Sequence, residues 1–577
     1  MPLSIIVFTA LIYFRALFND FANWDDDIYI IQNHLIKKFT FCNIADIFTS
    51  FYMGNYHPLA MLTFLFEYTF FGLNPFSYHL LNVLLHLLNT WLVFKFIEQL
   101  SENKITALIV SLFFAIHPMH VESVAWISEL KDVLYSAFYL LSLFVYLRYI
   151  KSTNNIKLYI GSLLLFVASL LSKSASVTLP VLLLAIDFYK GRTINTKMFL
   201  EKVPFLLLSL LFGILALLSQ PIEKSATDLF ASYSFLQRIF IFSYTVSFYI
   251  IKIIAPFQLS VMHYLPMLKD GFLPWYYYAS LPFILFIIFS LFFRFNFRKE
   301  IIFGLSFFLI TVSVMLQIIP VGGSIASERY TYIPYIGLFY IAGQLFSYLK
   351  RHKLRKALFI LISLFVIMFS YQTWVRIGVW KNGEVLFSDS IKKYPDIYFG
   401  YWTRGIFRNG EGNLKGALQD YNKSIGKNPV FADAYYDRGV TYSSLGDIQS
   451  ALRDYNNAIK LNPAYADAYL NRGMLYDGLG KADSAMYDFN MTILLKPAFA
   501  KAYNNRAVLK AKSGDLTGAL QDINKAISLM PDYAEAYSNR GNIKAIQNNH
   551  TDACEDWKKA VELGYGAASQ IVNKYCN

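Results

Sequence analysis

The chain has 577 residues, 56% of them hydrophobic, and a formal net charge of +13. That apolar content excludes an ordinary soluble protein of this size. The charge does not point to nucleic acid either. Only +2 of it lies from Pro395 onward, and the rest concentrates in short loops between apolar runs, as cytoplasmic loops of membrane proteins do.

Residues 1–380 read as a multi-pass membrane domain. The first apolar run, Pro2 to about Phe18, lacks a basic leader and a small-residue cleavage site, so it is expected to stay as a span rather than be removed as a signal peptide. It ends at Asn23-Trp24-Asp25-Asp26-Asp27. Three adjacent carboxylates beside a membrane are costly unless they face water or do chemistry. Further apolar segments centre on 78–97, 104–116, 131–150, 156–171, 176–189, 203–219, 237–256, 274–293, 301–319, 331–349 and 357–376.

Three ionisable clusters interrupt these segments: His117 to Glu122, Ser172-Lys173-Ser174, and Ser327-Glu328-Arg329-Tyr330. The basic loops are Lys190/Arg192/Lys197, Arg294/Arg298/Lys299 and Lys350/Arg351/Lys353/Arg355/Lys356. With those loops in the cytoplasm, the ionisable clusters and the acidic triplet all fall on the outer face. Three apolar segments between Arg192 and Arg294 join two cytoplasmic loops, so one fails to cross or a further span is present. Eleven or thirteen crossings would put the C-terminal region outside.

Residues 381–397 read as a linker and 398–564 as five repeats. Pro395, Pro429, Pro463, Pro497 and Pro531 recur every 34 residues, as do Gly405, Gly439, Gly473, Ala507 and Gly541. This period, with small residues at helix crossings and Pro at helix ends, predicts tetratricopeptide repeats stacked into an α-solenoid, followed by a tail at 565–577. Arg404, Arg438, Arg472, Arg506 and Arg540 keep one position and Asp420, Asp454, Asp488, Asp522 and Asp556 another. Matched ladders of opposite charge predict pairing between the two helices of each repeat. Asn471, Asn505 and Asn539 take a position suited to acceptor-peptide contact, since an amide both donates to and accepts from backbone. Cys42, Cys554 and Cys576 show no metal spacing, and no disulfide framework is expected.

Most of the membrane half resembles the transmembrane and tetratricopeptide-repeat O-mannosyltransferases and their bacterial relatives, within the GT-C glycosyltransferase superfamily. The stretches that carry the resemblance are Asn23-Trp24-Asp25-Asp26; Tyr78-His79-Leu80-Leu81-Asn82 with Leu84-Leu85-His86; Ile116 to Val124; Glu129-Leu130-Lys131-Asp132-Val133-Leu134; Leu171-Ser172-Lys173 with Val177-Thr178-Leu179-Pro180; and Ser327 to Pro334. The resemblance implies an all-α fold, a GT-C-like membrane domain followed by the solenoid. It also implies transfer of a sugar, mannose in the family, from a polyprenyl-phosphate carrier to Ser or Thr of extracytoplasmic proteins bound by the repeats. Asp25 and Asp26 take the role of base, with Asp27 an addition to the family pattern.

The residue types suit that chemistry. A hydroxyl needs a carboxylate to accept its proton, and a lipid-phosphate leaving group needs fixed cations. Arg329, Lys131 and Lys173 are candidates for the phosphate, and His117, His120 and Glu122 for phosphate or sugar. His79 and His86, on an apolar segment, read as packing residues. A divalent ion, magnesium or manganese, is an open possibility, with Asp26, Glu122 and Asp132 (alongside Asp25) as its ligands. A ligase for a whole lipid-linked glycan and a non-catalytic envelope scaffold are the alternatives. A transporter would instead place charges at mid-membrane in paired halves. The expected partners are the lipid-linked sugar, acceptor proteins and membrane lipid, with no nucleic acid. The Lys-, Ile-, Asn- and Phe-rich composition favours a bacterial inner membrane with periplasmic repeats, the endoplasmic-reticulum membrane being the eukaryotic equivalent.

Overall fold

Asparagine and proline set where the membrane helices begin. The Asn74 side chain accepts from the backbone of Phe76 and Pro75 takes the first turn, opening Pro75–Ser101. Asn103 and Asn155 cap Lys104–Ile116 and Ile156–Ser172 in the same way, each satisfying amides that a helix start leaves open. Pro118 stops the second of these helices. The residue before a proline is pushed to extended backbone, and His117 sits at φ −74°, ψ 129°, so the chain bends by 56° before Pro118–Ala125.

The computed structural model describes residues 2–152, 155–220, 233–266, 268–294, 298–316, 324–349 and 355–576. The chain divides into two units, Met1–Pro395 and Asp396–Asn577. In the first, four helices among the described residues are long and apolar enough to cross a membrane: Pro75–Ser101, Ile127–Lys151, Thr196–Ser219 and Lys356–Val379. The bent pair at 104–125 makes a fifth, and Pro2–Phe18, Pro58–Phe71, Ile156–Ser172, Trp275–Ser290 and Tyr335–Leu349 are shorter apolar helices. The chain is a multi-pass membrane protein. Pro58–Phe71 was not expected from the apolar pattern. The end of the expected segment 301–319 and most of the basic loop at 350–356 lie outside the described residues. Helices Arg298–Val312 and Tyr335–Leu349 cross closely: a Cβ built on Gly304 would stand 2.6 Å from the carbonyl oxygen of Gly337, the small-residue contact that membrane helices use. A two-stranded pairing of His263–Tyr264 with Ser324–Ala326 is the only sheet among the described residues.

The expected linker holds a helix, Gly383–Lys393, capped by Asn382, with Leu386 and Phe387 fully buried in the first unit.

The second unit is an all-α tetratricopeptide-repeat solenoid of five helix pairs, from Tyr398–Gly410 with Leu414–Lys427 to Ala534–Ile546 with His550–Glu562, followed by Ala567–Tyr575. The turn inside each pair needs a left-handed residue. Gly412, Gly446, Gly480 and Gly514 supply it at φ 72–89°, and Asn548 at φ 63° in the fifth pair, the residue types that bear this conformation most easily. Cβ atoms on Gly405, Gly439, Gly473 and Gly541 would come 2.7–2.9 Å from the rings of Tyr421, Tyr455, Phe489 and Trp557. Ala507 fits at the fourth position because its neighbour there is the smaller Ile523. Contrary to the sequence expectation, Cys554 and Cys576 form a disulfide. It fastens the last helix to the fifth repeat, where Trp557 and Tyr575 also meet at 6.3 Å. Closing a loop of 22 residues is worth about 3 kcal/mol.

Candidate active site

The acidic triplet lies in the loop after the first helix, and the loop is anchored from behind. The Asn19 side chain donates to the Ile377 carbonyl at 3.0 Å and the Asp20 amide to that of Lys381 at 2.8 Å. Trp24 stacks on Phe387, ring centroids 5.5 Å apart.

The three acids separate by environment. Asp26 is 1% exposed and accepts from the amides of Ala22 at 2.8 Å and Ser128 at 2.9 Å, and from the Ser128 hydroxyl. Burial pushes its pKa up to about 7, against the pull of these donors. Its oxygens are occupied in holding the loop to residue 128. Asp25 keeps a quarter of its side chain exposed, 4.0 Å from the Lys131 ammonium. Burial raises its pKa and Lys131 draws it back. Asp27 begins a single π turn, Asp27–Ile31.

Around Asp25 the structure brings together residues from four parts of the chain. Glu129, which sequence reasoning passed over, is their hub. It is 1% exposed, with one oxygen 3.4 Å from both Lys131 and Arg329 and the other 3.3 Å from Lys173. Asp132 pairs with Lys173 and accepts from the Ser123 hydroxyl at 3.2 Å. Glu122 pairs with the Arg329 guanidinium and accepts from its amide at 3.2 Å. Aromatic faces complete the cage: Arg329 lies over Trp126 at 5.3 Å and Tyr330 at 5.1 Å, and Lys131 over Tyr29 at 4.7 Å. The carboxylates form a buried floor, and the cations stand at 11–19% side-chain exposure above it. His57 was also missed. Its buried ring packs on Tyr29 at 5.3 Å, and its Nε2 has no partner among the described residues. Its signal was its place beside Pro58, where it precedes an apolar run too short to read as a span.

His117 and His120 differ from the expectation of a donor-binding role. Both are fully buried. His117 Nε2 faces the Ile253 carbonyl at 3.3 Å and its ring packs on Phe369 at 4.6 Å; His120 Nδ1 donates to the Phe114 carbonyl at 2.8 Å. Pro118 turns both rings into the helix core. His86 is a packing residue as expected, bonded to Tyr332 and the Ala115 carbonyl.

The proposed metal ligands do not fit an ion. Asp26 is held by Ser128, Glu122 by Arg329 and Asp132 by Lys173, and no group of three or more candidate ligands stands close enough to hold a metal among the described residues.

In the repeats, the arginine and aspartate ladders pair as expected. Each arginine grips its aspartate 16 residues on through two bonds of 2.6–2.9 Å. From the second repeat on it also reaches back to Asn422, Asn456, Asn490 or Asn524 of the preceding one. A further set of bonds runs between first helices. Trp402 donates to Asp437 at 2.7 Å, Asn471 to Tyr436 at 3.0 Å, and Asn539 to Asn504 at 2.9 Å. Leu470 occupies the matching position before Asn505 and cannot take part, and among the described residues the Asn505 side chain accepts only from its neighbour Asn504, at 3.3 Å.

Family profiles described as Tetratricopeptide repeat match residues 432–465 and 500–533. Among curated relatives, the protein O-mannosyl-transferase Tmtc1 of Drosophila melanogaster is 35% identical over 125 residues, 22% of this chain and 14% of that protein. TMTC2 of Mus musculus is 34% identical over 153 residues, 26% of this chain and 18% of its own length. The protein O-mannosyl-transferase F38B6.6 of Caenorhabditis elegans is 24% identical over 442 residues, 73% of this chain and 61% of that protein. The matches therefore span less than two thirds of these relatives. Among solved structures, YrrB, a TPR protein with an unusual peptide-binding site, aligns at a TM-score of 0.29 and 21% identity over 33% of this chain and 97% of its own. MamA aligns at 0.27 and 23% over 30% and 94%. At 24–42% identity to its curated relatives, the chain is a distant homologue of the TMTC-like protein O-mannosyltransferases that carry tetratricopeptide repeats.

Proposed function

We propose that the chain is a membrane glycosyltransferase that moves a sugar, mannose by family resemblance, from a polyprenyl-phosphate carrier to Ser or Thr hydroxyls of proteins outside the cytoplasm. The observation that carries this reading is Asp25: an accessible carboxylate beside three cations whose counter-charges are buried beneath them. Asp25 accepts the proton of the acceptor hydroxyl as its oxygen attacks the anomeric carbon. The bond from that carbon to the phosphate oxygen breaks, and the phosphate leaves with the electron pair. Arg329, Lys131 and Lys173, held by Glu122, Glu129 and Asp132, face the developing charge without having to reorganise. Asp26 acts on the loop and not on the substrate.

The repeats supply acceptor binding in this reading. Asn505 is the amide whose donors are left over where Leu470 interrupts the bonds between repeats, and it suits an extended peptide backbone. The Cys554–Cys576 bond favours an oxidising compartment for the repeats, and the inner membrane of a bacterium with periplasmic repeats accommodates it. Mass spectrometry of extracytoplasmic proteins from cells carrying wild-type or Asp25→Asn protein at matched levels tests the reading. A hexose-sized mass on Ser/Thr peptides that disappears in the variant supports it. A larger glycan lost in its place identifies a ligase, and an unchanged glycan profile removes the enzymatic reading altogether.

A further inference from the structure

Helix Leu130–Lys151 begins in the Asp25 cluster, with Lys131 and Asp132, and runs for 22 residues to the opposite face of the membrane half. At 1.5 Å per residue that is about 33 Å, roughly the thickness of a bilayer core. A cleft of about 350 Å³ lies at this far end, lined by Tyr149, Ile156, Tyr159, Lys197, Leu200 and Glu201. Its volume falls within the range of ligand sites.

The back of the cleft is closed and neutral. Glu201, the one acid in the lining, accepts from the Tyr149 hydroxyl at 2.8 Å and from Arg192 at 2.9 Å. The Tyr159 hydroxyl donates to the Glu201 carbonyl at 2.9 Å. Behind them Lys202 pairs with the fully buried Asp187 at 2.5 Å, and Arg192 reaches the same carboxylate at 3.3 Å. Two cations thus meet two carboxylates. Lys157 and Lys197 are left over: both are exposed, and neither has an acidic partner among the described residues. The adjoining pairs add to this excess, because Lys151 and Lys190 share the single acid Glu102, at 2.9 and 3.3 Å.

The mouth is apolar as well as positive. Ile156 and Leu200 are each 61% exposed. An exposed ridge continues from Ile156 through Ile160 and Leu164, and a second from Leu200 through Leu207 and Leu211. Residues at these steps share a helix face. The two helices, Ile156–Ser172 and Thr196–Ser219, run from the cleft back toward the other face, where Lys173 joins the Asp25 cluster and Ser219 donates to the Gly54 carbonyl. Unmatched cations at the membrane surface, with two apolar tracks leading inward from them, suit a molecule that carries a negative head and long apolar chains.

We propose that this cleft binds one anionic phospholipid of the leaflet opposite the Asp25 cluster, its phosphate held by Lys197 and Lys157 and its chains lying along the two ridges. Basic pockets between helices at a membrane face take such headgroups. The lipid closes the corner where Leu130–Lys151, Ile156–Ser172 and Thr196–Ser219 meet. The assignment does not depend on the transferase reading, whose donor is used at the other face.

Native mass spectrometry of the full-length protein in detergent, given equal amounts of phosphatidylglycerol and phosphatidylcholine, tests it by counting the lipids retained. Lys157→Gln/Lys197→Gln is compared with wild type, and Lys157→Arg/Lys197→Arg serves as the charge-retaining control. Wild type is expected to retain one phosphatidylglycerol with a preference of roughly tenfold or more over phosphatidylcholine. The glutamine variant should lose that preference and the arginine variant should keep it, which shows that the loss is not one of folding. Glycerol phosphate at the same concentration should not displace the lipid. A glutamine variant that keeps the preference, or a wild type that retains both lipids equally, overturns the site. A loss that arginine does not restore places the effect in the fold and overturns it as well. Displacement by glycerol phosphate makes the cleft a site for a soluble anion and overturns the lipid assignment.

Discussion

In the repeats, each arginine from Arg404 to Arg540 meets its own aspartate through two parallel bonds, and four of them close the arrangement with an asparagine one repeat back. In the membrane half, Arg329 divides its guanidinium between Glu122 and Glu129, and Glu129 is shared with two lysines. The ingredients are the same and the closure differs. A bidentate pair with every donor matched is a joint, and its periodicity shows that each repeat needs one. The cations of the two regions are equally exposed, at 11–20% of their side chains, but the membrane cluster alone leaves a carboxylate, Asp25, a quarter exposed at its rim. Partial exposure of Asp25 beside a buried Glu129, more than the presence of charge, distinguishes the site from the ladder.

The comparison is broken most directly at Asp25. Asp25→Asn should lower sugar transfer by roughly 10²–10⁴-fold while leaving the thermal unfolding of the solubilised protein unchanged. Asp26→Asn should also lower transfer, but with a fall in thermal stability, because an amide nitrogen would be turned toward the amide of Ala22 or Ser128. If the two variants behave alike in both assays, the division between base and clamp is wrong.

The ladder should respond in the opposite currency. Arg472→Met strands the buried Asp488 (1% side-chain exposure) without a counter-charge, a change that costs about 3–5 kcal/mol. Hydrogen exchange in helices 466–478 and 482–495 should rise accordingly, with no change in donor affinity.

The solenoid also contains acids that work against it, Asp433 and, more strongly, Asp437. Asp437, bonded to Trp402, has its pKa raised by burial to about 7. In the folded state it binds a proton that the unfolded chain has already released above pH 4, so its contribution to stability is largest at low pH and is lost as pH rises toward 7. Asp437→Asn should stabilise the repeats by on the order of 2 kcal/mol at pH 8 and by almost nothing at pH 4. Hydrogen exchange of helix 432–444 at the two pH values checks the sign. The smallest effect is expected at Asn505. Asn505→Ala should weaken binding of a Ser/Thr-rich acceptor peptide by about 1 kcal/mol, and Asn539→Ala by less, since Asn539 already serves Asn504.

Much of this was legible before the fold. The 34-residue period showed the five helix pairs and their paired charges, because a repeat writes the same contact five times. The acidic loop and Arg329 were legible because ionisable residues are rare amid apolar runs. The histidines misled for a physical reason: sequence shows that a ring lies beside Pro118 but not which way the bend turns it, and here it turns inward. Glu129 was overlooked because a hub is defined by partners from distant segments. The Cys554–Cys576 pair was invisible because two cysteines 22 residues apart carry no spacing rule. The division of labour between Asp25 and Asp26 depends on Ser128, more than a hundred residues away in the chain.

The helix Gly383–Lys393 bears on how the protein can be dissected. A truncation placed by hydropathy would stop at Val379, where the last apolar run ends. It would remove Phe387 from behind Trp24, the Lys381 carbonyl from Asp20, and Asp389 and Lys393 from Arg376. Such a fragment would lose activity for reasons unrelated to the repeats. A cut after Pro395, at the boundary between the two units, keeps the whole backing of the acidic loop, and is the minimal membrane fragment with which the contribution of the repeats to acceptor choice can be measured cleanly.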